Sequence, residues 1–532
     1  MADEPWWRGA VIYQIYPRSF FDSNGDGTGD LKGITAKLDY VASLGVDAVW
    51  LSPFFRSPMK DFGYDVSDYC DVDPSFGTLA DFDALLARAH ALALKLVIDQ
   101  VYSHTSNIHP WFVESSASAD NPRSEWYVWA DAKPDGTPPN NWQGNFGGPA
   151  WTWHPMRRRY YLHNFLAEQP DLNFHNPQVR EAILKVAAFW LDRGVDGFRL
   201  DVANYYVHDA ALRDNPPTNR DQIAPRTYEF QRHLYDKSRP ETLDFIADLR
   251  ALTDRYPDKM MVGEIGDDDD LARQREYTDG LHRLHTAYSF HLLNTRHATP
   301  GLFTSALAAW DGATGWPSWS LGNHDVPRYP TRFGGSNPPR AQVDGLLAAL
   351  FALRGTVFIY QGDELGLPQA RVPFDRLKDP YALSSYVGDA GRDGARTPMP
   401  WSHTEPMAGF TTAGDTWLPI DPAHQLLAPS AQEDDPHSHL TTTRRLIALR
   451  KAHASLRIGD CQTLAAAPSV LALLRTSGEE QVVFVVNLDA APASFSHADL
   501  AGGRVLDTGM EATLNGETLD LPPFGGAMIL LI

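Results

Sequence analysis

Eight short apolar runs alternate with segments of helical spacing between residues 11 and 456, and that alternation leaves the chain few architectures to adopt. The runs are VIYQIY (11–16), VDAVWLSP (46–53), LKLVIDQVY (94–102), VDGFRLDVA (195–203), KMMVGEI (259–265), AYSFHLL (287–293), WPSWSLGN (316–323) and TVFIYQG (356–362). Runs this short and this apolar suit parallel strands buried on both faces. Between them, segments such as ITAKLDYVASLG (34–45), LADFDALLARAHALA (79–93), VREAILKVAAFWLDRG (179–194), ETLDFIADLRALTDRY (241–256) and AQVDGLLAALFALRG (341–355) carry helical periodicity, with HLTTTRRLIALRKAHASL (439–456) as a closing helix. The expected fold is α/β, a (β/α)8 TIM barrel. A doubly wound open sheet is the alternative, but it seldom needs so many units.

Two connections are too long to be simple loops. Residues 105–175, after strand three, are rich in Trp, Asn, Gly and Pro and read as a small inserted domain. Residues 363–438 form a second long insertion, after strand eight. The barrel would then comprise 1–104 and 176–456. From 457 the pattern changes to the β runs SVLALLRT, EQVVFVVNL, GRVLDTG and GGAMILLI, a C-terminal antiparallel β domain over 457–532.

A net charge of −21 argues against nucleic acid or an anionic membrane surface as partner. A neutral small-molecule substrate fits, although an acidic, soluble surface accounts for much of that charge. Two cysteines, Cys70 and Cys461, exclude a disulfide framework. The start, MADEPWWRG, lacks the basic and apolar regions of a secretory signal, and no apolar run has membrane-span length. A cytoplasmic location is expected. A homodimer is compatible with the sequence.

Three acids stand just past strand runs: Asp201 after GFRL, Glu264 in MMVGE and Asp325 in WSLGNHD. A parallel barrel brings such positions to one face, where mutual repulsion shifts their pKa values. Cleavage of a sugar acetal needs a protonated acid beside a nucleophilic carboxylate. Arg199 and Asp201 alternate along one strand, so they point the same way, and the guanidinium would keep Asp201 ionised. An isolated Arg–Asp pair is more often structural. Glu264 would be the acid if burial and a neighbouring carboxylate hold its proton. His324 and Asp325 could hold sugar hydroxyls. Asp61 and Tyr64, in KDFGYDVSDY after strand two, could bind and stack on a ring, or could merely shape a turn. His104, after strand three, has no second His or Cys nearby and is read as a hydrogen-bonding group rather than a metal ligand.

DSNGDGTGDLKG (22–33) looks like a phosphate loop, but its acids would repel phosphate. Its alternating oxygens suit a hard cation, with Asp22, Asn24, Asp26, the Thr28 carbonyl and Asp30 as ligands of a structural Ca2+, Mg2+ being the alternative. The bidentate Glu of an EF-hand is missing, and a solvated Asx-rich turn is the competing reading. No organic cofactor is expected.

In order and spacing, DQVYSH (99–104), GFRLD (197–201), the Glu after strand five and NHD (323–325) resemble the four motifs of the α-amylase family of glycoside hydrolases. QPDLNFHNP (169–177) is similar to the extra motif of its oligo-1,6-glucosidase and α-glucosidase branch. The resemblance spans nearly the whole chain. It implies a retaining mechanism with Asp201 as nucleophile, Glu264 as acid/base and Asp325 binding the distorted ring. It further implies that Asp61, Tyr64, His104, Arg199, His324 and Arg392 hold the terminal glucose, with Arg396 as the rival of Arg392 and Phe146 and Phe165 as pocket walls. The family's usual Asn before the motif histidine is Ser103 here, which removes a ligand of the α-amylase calcium. Gly266 stands where a Trp is common. Both departures favour the exo-acting branch. Val202 tends to accompany α-1,6 activity in this branch, whereas the flanking DVANYYVHDA looks more like maltose-acting enzymes that transfer glucose. The expected activity is an exo-α-glucosidase on short α-1,4 substrates, with transglucosylation to hydroxyl acceptors. Oligo-1,6-glucosidase, sucrose isomerase and trehalose synthase are the alternatives, and a non-catalytic sugar-binding protein on the same fold is the rival from another class.

Overall fold

The computed structural model describes residues 4–218, 226–385 and 391–531. Eight parallel strands form one sheet: β1 Val11–Ile15, β2 Ala48–Leu51, β3 Lys95–Gln100, β4 Gly197–Leu200, β5 Met260–Ile265, β6 Thr286–Ser289, β7 Ser318–Ser320 and β8 Thr356–Tyr360. Their order is β6-β5-β4-β3-β2-β1-β8-β7. The two end strands meet through a parallel bridge between Ala287 and Pro317, and the Thr286 hydroxyl donates to the Trp316 carbonyl at 2.8 Å. The sheet thus closes into the expected barrel.

A helix follows each strand: α1 Leu31–Ser43, α2 Leu79–Ala91, α3 Pro177–Arg193, α4 Thr242–Thr253, α5 Asp270–Glu276, α6 Pro300–Ala308, α7 Arg340–Ala352 and α8 His439–Ala452. Local chemistry sets several of their ends. Thr78 and Asp81 form a reciprocal capping box at the start of α2, and Pro177 opens α3 behind an Asn176 cap. Gly194 ends α3 in the left-handed region at φ 103°, which turns the chain into β4. Gly197 then lets β4 approach β5, since a Cβ there would lie 2.5 Å from the Met260 carbonyl oxygen.

Period-two alternation sorts each strand's side chains. Ile12, Trp50, Val97, Val262, Tyr288 and Phe358 fill the lumen. Tyr13, Val49, Ile98, Phe198, Met261 and Ile359 pack outward with Leu38, Leu85, Ile183 and Leu249 of the helices. The lumen parity carries upward to Gln14, Asp99, Arg199 and Glu264, the polar layer beneath the site.

Several expected elements are shorter or divided. The run 287–293 is a strand only as far as Ser289, after which the chain turns. The closing helix stops at Ala452 and resumes at Ala454–Arg457. Between β3 and α3, Trp129–Ala130, Arg159–Leu162 and Trp151–His154 make a three-stranded antiparallel sheet. Toward the C-terminus lie antiparallel sheets of five and three strands. The four strand-like runs expected there match Val470–Ser477, Glu480–Asn487, Arg504–Leu506 and Gly526–Leu530, all in the larger sheet. That sheet is tied to the underside of the barrel by the buried Arg475, which donates to the Ala352 carbonyl at 2.6 Å.

Candidate active site

β4 delivers Arg199 into the lumen and Asp201 just above it, two residues on. The buried guanidinium is the hub. Its Nη1 donates to Asp201 Oδ1 at 2.6 Å and to Asp99 Oδ1 at 2.9 Å, and its Nη2 pairs with Glu264 Oε2 at 2.5 Å. It also donates to the Tyr288 hydroxyl at 2.8 and 3.1 Å and lies 5.0 Å over the Trp50 ring. The registers explain the convergence: Arg199 is level with Asp99 of β3, and Glu264 of β5 with Tyr288 of β6.

One cation therefore faces three buried carboxylates. Burial pushes Glu264 up to about 8, Asp201 to about 7 and Asp99 to about 6, against the opposing pull of Arg199. Repulsion from Asp201 and Asp325 adds to the rise at Glu264. Burial thus outweighs Arg199, which does not hold Asp201 at an ordinary carboxylate value as the alternation suggested, and the buried group as a whole retains a proton near neutral pH, with Glu264 the acid pushed highest. Asp201 uses Oδ1 for Arg199, while its Oδ2 accepts no hydrogen bond among the described residues. Val202 sits at φ 35°, ψ 52°, a left-handed conformation costly for a β-branched residue, and its N–H donates to Glu264 Oε2 at 3.2 Å. Backbone strain next to Asp201 thus helps to position Glu264.

Asp325 is set differently. Burial raises its pKa, but the Arg396 and Arg392 guanidiniums outweigh that and hold it well below the carboxylate range. Arg396 Nη2 donates to it at 2.7 Å and Arg392 Nη1 at 3.2 Å. His324 is kept neutral by burial. Its Nδ1 accepts from Gln14 Nε2 at 2.8 Å, so its Nε2–H faces Tyr64 Oη at 2.5 Å and Asp325 Oδ2 at 3.2 Å. The Tyr64 ring stacks on the imidazole at 5.3 Å with 6° between planes, and its hydroxyl donates to Asp99 Oδ2 at 3.2 Å.

A cavity of about 560 Å³ opens above these groups. Asp61, Tyr64, His104, Phe146, Phe165, Asp201, Glu264, Asp325 and Arg392 all line it. Arg199 and His324 lie beneath and act through their neighbours. Arg392 also donates to Asp61 Oδ1 at 2.8 Å and lies 5.0 Å over Phe146, whereas Arg396 supports Asp325 from below and donates to the His324 carbonyl at 2.7 Å. His104 is neutral, its pKa lowered by burial to about 4, and its Nε2 lies 3.0 Å from the Tyr64 carbonyl oxygen. Carboxylates, an arginine and aromatic walls in one cavity suit a sugar, with hydroxyls to bind and ring faces to pack.

The profile of the family described as "Alpha amylase, catalytic domain" matches residues 14–459. The chain belongs to the α-amylase family. Over 502 residues it is 52% identical to the "Probable alpha-glucosidase" of Rhizobium meliloti (strain 1021), covering 92% of this chain and 91% of that one. It is 38% identical over 532 residues to the "Oligo-1,6-glucosidase" of Parageobacillus thermoglucosidasius, covering 93% and 92%. The solved structure of an "alpha-glucosyl transfer enzyme, XgtA" superposes with a TM-score of 0.96 at 48% identity, with 100% of each chain covered. The chain is accordingly a glycoside hydrolase of the α-amylase family. Among the described residues no helix is long and apolar enough to cross a membrane.

This α-amylase family site contains residues that sequence reasoning missed. Asp379 accepts from Arg392 Nε at 2.9 Å and from Nη2 at 2.8 Å, and so aims that guanidinium into the cavity. Asp379 lies in a long loop without periodicity, and nothing local marks it. Asp99 and Gln169 stand inside the quoted DQVYSH and QPDLNFHNP, and the inward parity of β3 could have singled out Asp99. Gln169 Nε2 donates to Asp61 Oδ2 at 3.2 Å.

The loop 22–30 lies apart from the cavity. Asp22 accepts from the N–H groups of Asn24, Gly25 and Gly27 at 3.0, 2.8 and 2.7 Å, and from the Thr411 hydroxyl. Asp30 caps α1 through Gly33 N at 2.7 Å. Among the described residues no group of three or more His, Cys, Asp or Glu converges as a metal cluster. The hard oxygens of Asp22, Asn24, Asp26, Thr28 and Asp30 fit Ca2+ or Mg2+ in donor chemistry. Asp22 also draws donors from the chain itself, and the Thr411 hydroxyl staples the loop to the segment around it.

Proposed function

We propose that this protein is a retaining, exo-acting α-glucosidase that removes glucose from short α-1,4-glucosides and also transfers it to hydroxyl acceptors. The observation that carries this reading is the shared guanidinium: Arg199 touches both Asp201 and Glu264, so a nucleophile and an acid flank the same small space.

Asp201 Oδ2 attacks the anomeric carbon of the terminal glucose. The bond to the leaving oxygen breaks, and that oxygen takes the proton of Glu264 and departs as an alcohol. A β-linked glucosyl ester on Asp201 remains. Glu264, now a carboxylate, removes a proton from water or an acceptor hydroxyl, whose oxygen attacks the anomeric carbon and frees Asp201. Two inversions give an α-configured product. Asp325, anionic between Arg392 and Arg396, accepts hydroxyls of the ring as it flattens and gains positive charge. Asp61, His104 and Arg392 would hold the remaining hydroxyls, with Phe146 and Phe165 against the ring.

The transfer branch is supported by the likeness to an enzyme named for α-glucosyl transfer, and hydrolysis by relatives named α-glucosidase and oligo-1,6-glucosidase. A Ca2+ held by loop 22–30 belongs to this reading as a structural ion that would tie β1 to the segment around Thr411. Digestion of p-nitrophenyl α-glucoside, whose leaving group is not a sugar, followed by proton NMR tests the central claim. Glucose appearing first as the α-anomer is expected, and first appearance of the β-anomer would overturn retention.

A further inference from the structure

The rim of the cavity is assembled from three connections that are far apart in sequence, and one side chain joins them. Arg226, from the connection after β4, donates from Nη1 to the Asn145 carbonyl at 2.9 Å and to Asn145 Oδ1 at 3.0 Å, in the connection after β3. Its guanidinium lies 5.2 Å over the Tyr381 ring, in the connection after β8. Glu229 aims it, accepting from Nε and Nη2 at 3.1 and 2.8 Å. Arg226, Asn145, Glu229 and Tyr381 all line the cavity.

Neighbouring contacts follow the same seam. Gly148 N–H donates to the Thr227 hydroxyl at 3.2 Å and Gln231 Nε2 to the Asn141 carbonyl at 2.6 Å. Tyr381 packs on Phe146 at 5.9 Å, and Phe146 packs on Arg392. A chain of contacts thus runs from Arg392, which touches Asp61 and Asp325, through Phe146 to Tyr381 at the rim of the cavity. A planar guanidinium whose Nε and Nη2 both donate to Glu229 Oε1 holds such a position far better than a flexible ammonium could.

We propose that Arg226 is a specificity-determining residue: by latching the three connections it narrows the exit on the leaving-group side and restricts the enzyme to short substrates. The inference rests on the α-glucosidase reading and adds to it the residue that sets substrate length. Arg226 makes no contact with Asp201, Glu264 or Asp325 among the described residues, so its effect should grow with the leaving group's reach and vanish when the leaving group is one atom.

The test is the ratio of kcat/KM on maltotriose to kcat/KM on α-glucosyl fluoride, whose leaving fluoride never reaches the rim. The glucosyl fluoride rate also reports a folded site. R226A should raise this ratio at least about fivefold, and R226K should raise it in the same direction, because lysine keeps the charge but loses the fork. A ratio within twofold of the parent's in R226A, while glucosyl fluoride is turned over, would overturn the inference and leave the α-glucosidase reading standing. No turnover of glucosyl fluoride by the unmodified protein would remove that reading, and the role of Arg226 with it.

Discussion

Arg199 reaches Asp201, two residues further on and just past the same strand, through a 2.6 Å contact at one carboxylate oxygen, and Asp201 lines the cavity. The pairing cannot rotate away, because the same guanidinium is fixed by Asp99 and Tyr288. A nucleophile so held starts in its reactive orientation.

Removing that nucleophile should be severe and local. D201N is expected to keep the fold, judged by circular dichroism, and to lower turnover of p-nitrophenyl α-glucoside on the order of 10³-fold or more. Turnover near the parental rate would refute the role of Asp201. E264Q should let a glucosyl adduct on residue 201 accumulate from a substrate with a good leaving group, as read by mass spectrometry.

The shared proton predicts pH behaviour with a definite sign. Glu264 must be protonated to act as acid, so kcat/KM should fall as pH rises through about 8. Stability follows the same group. Its folded pKa is raised above the ordinary 4.5, so its contribution is full below that value and is lost as pH rises through about 8. E264Q should therefore gain on the parent between pH 5 and pH 8, with a difference in Tm larger at pH 8 by about 2 °C or more. An equal difference at both values would show that the Glu264 carboxyl does not carry this proton.

Asp379 tests how the glucose end is built. D379A removes the acceptor of two Arg392 N–H groups and leaves a buried guanidinium without its main partner. KM for maltose should rise about tenfold or more, the cost of a lost charged hydrogen bond, with a smaller change in kcat. A fall in kcat at constant KM would mean that Asp379 acts on the chemistry instead.

The loop 22–30 makes the cation question simple to decide. If Ca2+ binds there, chelation should lower Tm by a few degrees, by linkage to the folded state, and D26N should abolish the response. Asp26 is the acid to change because it is exposed and takes no part in capping α1. A Tm indifferent to chelator, with no metal in elemental analysis, would leave the loop as an Asx-rich turn held by its own hydrogen bonds.

The barrel and its acids were legible in the sequence because both depend on short-range regularities. A parallel strand buried on both faces must be apolar throughout, and residues two apart must share a side, which placed Arg199 under Asp201 before any coordinates. What the tertiary structure alone decided are the partnerships across connections. Asp379 beneath Arg392, Arg396 behind Asp325 and Arg226 across Asn145 and Tyr381 join positions that no periodicity links, since loop paths follow from where their anchors pack. That Asp99 joins Asp201 and Glu264 on one guanidinium, and that burial lifts all three acids together, was likewise beyond the sequence, because it depends on how many carboxylates pack around Arg199 out of reach of water.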